Sequence, residues 1–210
     1  MEEQAQISPA IRLLEAAAGK RLVVFDLDNT LMDETEYLFA GYDAVALVAS
    51  TGEMPRAAMM ARWLQRAFLE SGRGQLFERM RKEFPDAAGG IDDWLAALHS
   101  AQVPGGIAIF DWVAPFCDRL PERHFAILTN GHAGQQRNKF QQLFPASLRD
   151  RFTLCCAAEH APKPDPAGLL HLMGRFQCPA PAALFIGDTT TDEACAAAAG
   201  GPFAWAPCVT

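Results

Sequence analysis

The sequence predicts an α/β fold, a parallel sheet flanked by helices, with a small all-helical segment inserted after the first strand. Three observations carry this prediction. The run Val23-Val24-Phe25 enters the acidic stretch Asp26-Leu27-Asp28-Asn29-Thr30-Leu31 without apolar–polar alternation, as a strand buried on both faces of a parallel sheet does. From Asp33 to about Ala101 only helical spacing is present. Beyond Pro104-Gly105-Gly106, strand and helix patterns alternate in the manner of βα units.

In chain order, Ser8-Pro9 reads as an N-cap with proline at the first helical position, and Ile11, Leu13, Leu14 and Ala17 give a short amphipathic helix closed by Gly19. The first strand runs from about Leu22 to Phe25. In the helical segment, Leu38, Tyr42, Val45 and Val48 keep one stripe, and Met59, Met60, Trp63, Leu64 and Phe68 keep a second. A third helix covers about Gln75 to Phe84 and ends before Pro85, and Trp94, Leu95 and Leu98 mark a fourth. The remainder reads as a helix over about Ala108 to Leu120, a strand from His124 to Leu128, a helix from Gln135 to Phe144 and a strand near Phe152 to Cys156. A helix up to about Phe176, a buried strand from Ala182 to Ile186 and an alanine-rich helix from Asp192 to Ala199 follow. Phe203 to Trp205 suits a last short strand. The expected division is residues 1–32 with 104–210 as the α/β core and 33–103 as the helical insertion.

The 210 residues suffice for one domain with an insertion or for two small ones. A formal charge of −7 argues against a nucleic-acid partner, which demands a basic footprint. Met1 to Gln6 is acidic and polar, unlike a secretory signal, and no apolar run reaches membrane-spanning length. The six cysteines show no Cys-x-x-Cys pair and no scaffold spacing, which suits free thiols in a reducing cytoplasm.

Four polar signals sit at strand ends or just before helices. Asp26 and Asp28, two apart on extended backbone, lean to one side, and two carboxylates so placed repel unless a cation lies between them. An Asp-rich turn is the other reading of this pattern. Thr129-Asn130-Gly131 offers a hydroxyl and backbone N–H groups suited to phosphate, or forms a plain turn. Lys163, one of only four lysines against fourteen arginines, precedes Pro164-Asp165-Pro166; it suits charge neutralisation or a solvated surface. In Gly187-Asp188-Thr189-Thr190-Thr191-Asp192 a buried strand ends in acid, with a second acid four residues on. Mg²⁺ prefers few carboxylates and retained waters, and Asp26 with Asp188 could supply the pair; an N-cap is the alternative for Asp188 or Asp192.

As an ordered set, Asp26-Leu27-Asp28-Asn29-Thr30, Thr129, Lys163 and Gly187-Asp188-x-x-x-Asp192 resemble the four motifs of the haloacid dehalogenase superfamily of aspartate-dependent phosphohydrolases, over about Arg21 to Trp205. The resemblance implies a Rossmann-like core and a helical cap of the C1 type, which in the family closes over the core and selects the leaving group. It implies that Asp26 is the nucleophile that forms an aspartyl-phosphate and Asp28 the general acid, then base. Thr129, Asn130, Gly131 and Lys163 would hold the phosphoryl oxygens. Mg²⁺ would be ligated by Asp26, the Asp28 backbone carbonyl, Asp188 and Asp192, the last directly or through water.

The activity so implied is a Mg²⁺-dependent phosphatase acting on a small phosphorylated metabolite such as a sugar phosphate or nucleotide, in the cytoplasm, as a monomer or homodimer. A phosphomutase of the β-phosphoglucomutase type is the alternative. A 2-haloacid dehalogenase is disfavoured by Asp28 and the Asp188/Asp192 pair, and a non-catalytic binding protein by the intact motifs. Tyr37, Phe39 and Tyr42 are candidates for substrate contact or core packing. The inserted arginines 56, 62, 66, 73, 79 and 81 are candidates for a second anionic group or a solvated helix surface.

Overall fold

The computed structural model describes residues 9–207; Ser8, Cys208 and the C-terminal residues after it lie outside the described part. The chain forms two compact units: the residues up to Asp33 together with those from Ala108 onward, and Glu34–Ile107.

The first unit holds the sheet. Strands β1 (Leu22–Phe25), β3 (His124–Thr129), β5 (Phe152–Cys156), β6 (Ala183–Gly187) and β7 (Phe203–Trp205) are arranged in the order β5-β3-β1-β6-β7. All pairs are parallel, with Phe25 opposite Ile127 on one side and Ile186 on the other. Around them lie helices α1 (Pro9–Ala16), α6 (Val113–Asp118), α7 (Ala133–Gln142), α8 (Ala146–Arg149), α9 (Ala167–Arg175) and α10 (Thr190–Ala198), with the short extended piece β4 (Leu143–Phe144); the two-residue β2 (Ile107–Ala108) falls at the division between the units.

Every residue of β1 is buried, and the reason lies on its two faces. Phe25 meets Trp112, Phe116, Phe125 and Phe152 at ring-centroid distances of 5.6–6.3 Å. Leu22 and Val24 join Ala126, Leu128, Phe185, Leu169 and Leu172 in a second cluster on the other side. Each fully buried side chain of this size stabilises the fold by roughly 1.5–3 kcal/mol. Alternation is missing from the sequence because neither face of the strand meets water.

Two expected boundaries differ. The helix read over about Ala108 to Leu120 is only Val113–Asp118. Pro115 has no N–H to bond back to residue 111, and its ring would collide with that carbonyl, so the helix cannot start much earlier. The helix read as Gln135 to Phe144 is Ala133–Gln142. His132 caps it, its Nδ1 accepting from the Gln135 N–H, and Phe144 is held extended by the proline after it.

The second unit consists of α2 (Glu34–Ala49), α3 (Met54–Ser71), α4 (Leu76–Glu83) and α5 (Ile91–His99). Leu38, Tyr42, Val45, Met60, Leu64, Phe77, Met80 and Trp94 form its core. Asp93 supports the start of α5, its Oδ2 accepting from the Gly90 N–H at 2.7 Å. Val48, expected in the core stripe, instead lines an apolar groove of about 780 Å³ with Leu47 and Met54. Tyr37 and Tyr42 are packing residues: both are buried, and the Tyr37 hydroxyl donates to the Leu98 and His99 carbonyls. Phe39 packs on Tyr42 and Phe68. Arg56 pairs with Asp86, Arg66 with Glu70 and Arg73 with Glu34, while Arg79 and Arg81 lie over Trp63 and Trp94.

No helix among the described residues is long and apolar enough to cross a membrane. The five described cysteines are free and buried.

Candidate active site

The site assembles at the carboxyl edge of the central strands, where open α/β folds concentrate ligand chemistry. Asp26 is the first residue past β1, and its N–H still bonds to the Ile186 carbonyl at 2.9 Å, so its backbone is fixed by the sheet. The chain then turns tightly. Asn29 adopts a left-handed conformation, φ 59°, which asparagine tolerates better than most residues, and its N–H donates to the Met32 carbonyl.

Lys163 is the hub of the charged cluster. Its Nζ donates to Asp26 Oδ1 at 2.5 Å and to Asp192 Oδ1 at 2.6 Å, and the three side chains are almost fully buried. Phe185 underlies the ammonium at 5.4 Å from the ring centroid. The lysine backbone is clamped as well: Asn130 Nδ2 donates to the Lys163 carbonyl, and Asn130 Oδ1 accepts from the Lys163 N–H. Asn130 therefore connects the end of β3 to the lysine loop through its side chain.

Asp192 is held by more than the lysine. Its Oδ2 accepts from the Thr189 N–H at 3.1 Å and the Thr189 hydroxyl at 2.6 Å, and Thr189 caps α10 reciprocally. Neither Asp188 nor Asp192 is the N-cap of α10: Thr189 is, and Asp192 closes the capping box from the third helical position while its carboxylate also faces the site. Gly187 permits the approach: a Cβ there would meet Asp192 Oδ2 at 2.6 Å and its Cγ at 2.7 Å. Asp188 accepts a hydrogen bond from the buried Thr30 hydroxyl at 3.3 Å.

Asp26, Asp188 and Asp192 each bring a carboxylate oxygen to within 4.8 Å of the others. Burial pushes Asp26 up to about 7, with the Asp192 and Asp28 charges adding to it and Lys163 opposing. Asp188 is raised by burial and by Asp192. For Lys163, burial works against the charge, but Asp26 and Asp192 outweigh it and hold the ammonium above its ordinary value. Three crowded oxygen donors with one lysine fit a hard divalent cation such as Mg²⁺, which would relieve the excess negative charge.

Asp28 stands apart from that cluster. Its two oxygens accept from Lys139 Nζ at 2.7 and 2.8 Å, and Gln136 Nε2 lies 3.4 Å from Oδ2. Thr129 is buried at the end of β3, and Gly131 has φ 108°, a conformation suited to glycine alone. The space a Cβ would take at Gly131 is filled by Gln136 Nε2, at 2.7 Å.

The sequence reading missed Lys139 and Gln136, and it named Thr30 and Thr189 only as members of their motifs, without the contacts they make to Asp188 and Asp192. One signal was available for Lys139: the scarcity of lysine that marked Lys163 marks it equally. The α7 segment AGQQRNKFQQ reads as a solvated helix because its buried face is polar.

The profile of one family, described as haloacid dehalogenase-like hydrolase, matches residues 20–200. No curated protein matches the chain. Among solved structures, a HAD-superfamily hydrolase of subfamily IA, variant 1, from Geobacter sulfurreducens is 23% identical with a TM-score of 0.62, covering 88% of this chain and 86% of that one. YfnB from Bacillus subtilis, in a magnesium-bound crystal, is 21% identical with a TM-score of 0.55, covering 89% and 88%. A 2-haloacid dehalogenase from Pseudomonas syringae is 24% identical with a TM-score of 0.57, covering 89% and 86%. At these identities the likeness is one of fold, and it does not separate the chemistries.

Proposed function

Because the chain belongs to the haloacid dehalogenase-like hydrolases, we propose that it is a Mg²⁺-dependent phosphatase acting on a small phosphorylated metabolite in the cytoplasm. The observation that carries this reading is the buried Lys163 ammonium bridging Asp26 and Asp192, with Asp188 completing the carboxylate cluster. Asp26 is the nucleophile. Its free oxygen attacks phosphorus, the bond to the leaving oxygen breaks, and Asp28 gives that oxygen a proton. A water then attacks the aspartyl-phosphate and yields its proton to Asp28; inorganic phosphate leaves and the Asp26 carboxylate is restored.

The Thr129 hydroxyl, the Asn130 and Gly131 backbone N–H groups and Lys163 hold the phosphoryl oxygens. Phosphoryl transfer asks chiefly for positioning and for neutralised charge on those oxygens. Mg²⁺ would be held by Asp26, the Asp28 backbone carbonyl, Asp188 and Asp192, and would supply charge neutralisation that lets a carboxylate approach an anionic phosphate. Lys163 also restrains Asp26, so that the nucleophile keeps one oxygen engaged and one free.

Dehalogenation is the poorer reading for these residues. It needs neither a metal cluster nor a second acid two residues after the nucleophile, and this chain has both Asp28 and the Asp26/Asp188/Asp192 group.

The test is phosphate release from a panel of sugar phosphates, nucleotides and phosphoglycolate, with Mg²⁺, with EDTA and with Asp26→Asn. Release that requires both Mg²⁺ and Asp26 is expected. A folded, Mg²⁺-loaded protein that releases phosphate from none of them, but interconverts sugar-phosphate isomers, would make it a mutase.

A further inference from the structure

We propose that Lys139, supported by Gln136, is a positioning residue that orients the Asp28 carboxylate for the proton transfer that completes each turnover. The inference rests on the phosphatase reading above and concerns residues which that reading does not use.

Lys139 is completely buried on α7. A buried ammonium is costly unless it is paired and hydrogen-bonded, and here it spans both oxygens of Asp28, at 2.7 and 2.8 Å. A contact to one oxygen fixes a charge, whereas a contact to both also fixes the plane of the carboxylate. Gln136 sits one turn earlier on the same helix face, with its Nε2 3.4 Å from Asp28 Oδ2.

The helix carrying the pair is itself registered against the catalytic loops. Gln136 Nε2 occupies the space left by the absent side chain of Gly131, so the loop after β3 and the loop after β1 meet the same amide. The two buried lysines divide the acids between them. Lys163 serves Asp26 and Asp192, and Lys139 serves Asp28.

Such a carboxylate is aimed before substrate arrives. The step it serves most directly is hydrolysis of the aspartyl-phosphate: the water oxygen bonds to phosphorus, the bond from phosphorus to Asp26 breaks, and the water proton passes to Asp28. Misplacing a reacting group by about 1 Å costs on the order of 10²-fold in rate. Loss of Lys139 should therefore slow breakdown of the intermediate more than its formation, when the leaving group needs no proton.

The experiment uses p-nitrophenyl phosphate, whose leaving group departs without general acid, and measures both turnover and the fraction of enzyme trapped as aspartyl-phosphate. Wild type, Lys139→Met, Asp28→Asn and the double variant form a cycle. Lys139→Met is expected to lower turnover roughly 10²-fold and to raise the trapped fraction, with no further loss when added to Asp28→Asn. A merely structural lysine would lower formation and breakdown together and would depress the Asp28→Asn background too; that result overturns the proposal. If Lys139→Met does not fold, Gln136→Met and Lys139→Gln carry the test. A trapped fraction and turnover unchanged from wild type in both, although the second has no ammonium to span the two Asp28 oxygens, would overturn it equally. A wild type that releases no phosphate in an Asp26-dependent way removes the phosphatase reading itself. A working wild type with an unaltered Lys139→Met removes only this inference.

Discussion

Gly187→Ala puts one methyl group into the most crowded point of the site. The new Cβ would lie 2.6 Å from Asp192 Oδ2 and 2.7 Å from its Cβ and Cγ. Ordinary contact begins near 3.4 Å, so the side chain must withdraw by about 0.8 Å. It has little room to do so, because Thr189 holds Oδ2 from two sides and Lys163 holds Oδ1 at 2.6 Å. Overpacking a tight site costs about 1–3 kcal/mol, and weakening a charge-assisted hydrogen bond adds about 1.5–3 kcal/mol. A loss of about 2.5–6 kcal/mol is expected in urea unfolding of the metal-free protein, as a lowered midpoint with unchanged slope, together with weaker Mg²⁺ binding by calorimetry. Gly174→Ala is the control, since nothing lies within 4 Å of that position; it should stabilise α9 by up to about 1 kcal/mol. A Gly187→Ala protein as stable as wild type, with unaltered Mg²⁺ affinity, would refute the claim that Asp192 is locked against the β6 end.

Three further outcomes follow from the same geometry. Lys163→Met leaves two buried carboxylates without their cation and should destabilise the metal-free protein by about 3–5 kcal/mol, with Mg²⁺ recovering part of the loss in thermal unfolding. Asn130→Ala removes both side-chain bonds to the Lys163 backbone and should cost about 1–3 kcal/mol, measured by urea unfolding. The third concerns pH. Asp26 titrates near 7 when folded, against 3.8 as an ordinary aspartate, so between those values the folded state binds more protons than the unfolded one. Stability from this group is therefore greatest at low pH and is lost as pH rises from about 4 to about 7. A bound cation competes with that proton, so the rise in Tm on adding Mg²⁺ should be larger at pH 7.5 than at pH 5. An equal rise at both would contradict the assignment of Asp26 to the cation cluster.

Much of this molecule is written plainly in its sequence, for physical reasons that differ by element. Strands β1, β3 and β6 are legible because burial on both faces makes them continuous apolar runs, each ending abruptly in Asp, Thr or Gly-Asp. Asp26, Lys163 and Asp192 are marked by the motifs they stand in, and the fold brings them together from three places: directly after β1, in the loop before α9, and in the first turn of α10. The polar face of α7 was not legible. Gln136 and Lys139 are buried by their fit to Asp28 and Gly131 and not by hydrophobicity, so periodicity could not point inward there. Nor could sequence place Val48, because whether an apolar helix residue meets the core or lines a groove depends on the neighbouring helix. Pro115 shows the reverse case, a local signal that shortens α6 and that a count of apolar residues passes over.

The central claim is that Asp26 carries the phosphoryl group. Acid quenching during turnover with radiolabelled p-nitrophenyl phosphate, followed by peptide mapping, tests it directly. The account predicts a hydroxylamine-sensitive acyl phosphate on the peptide containing Asp26 in the presence of Mg²⁺, absent with EDTA and absent in Asp26→Asn. Steady phosphate release with no label at Asp26, or with label on another residue, would contradict it.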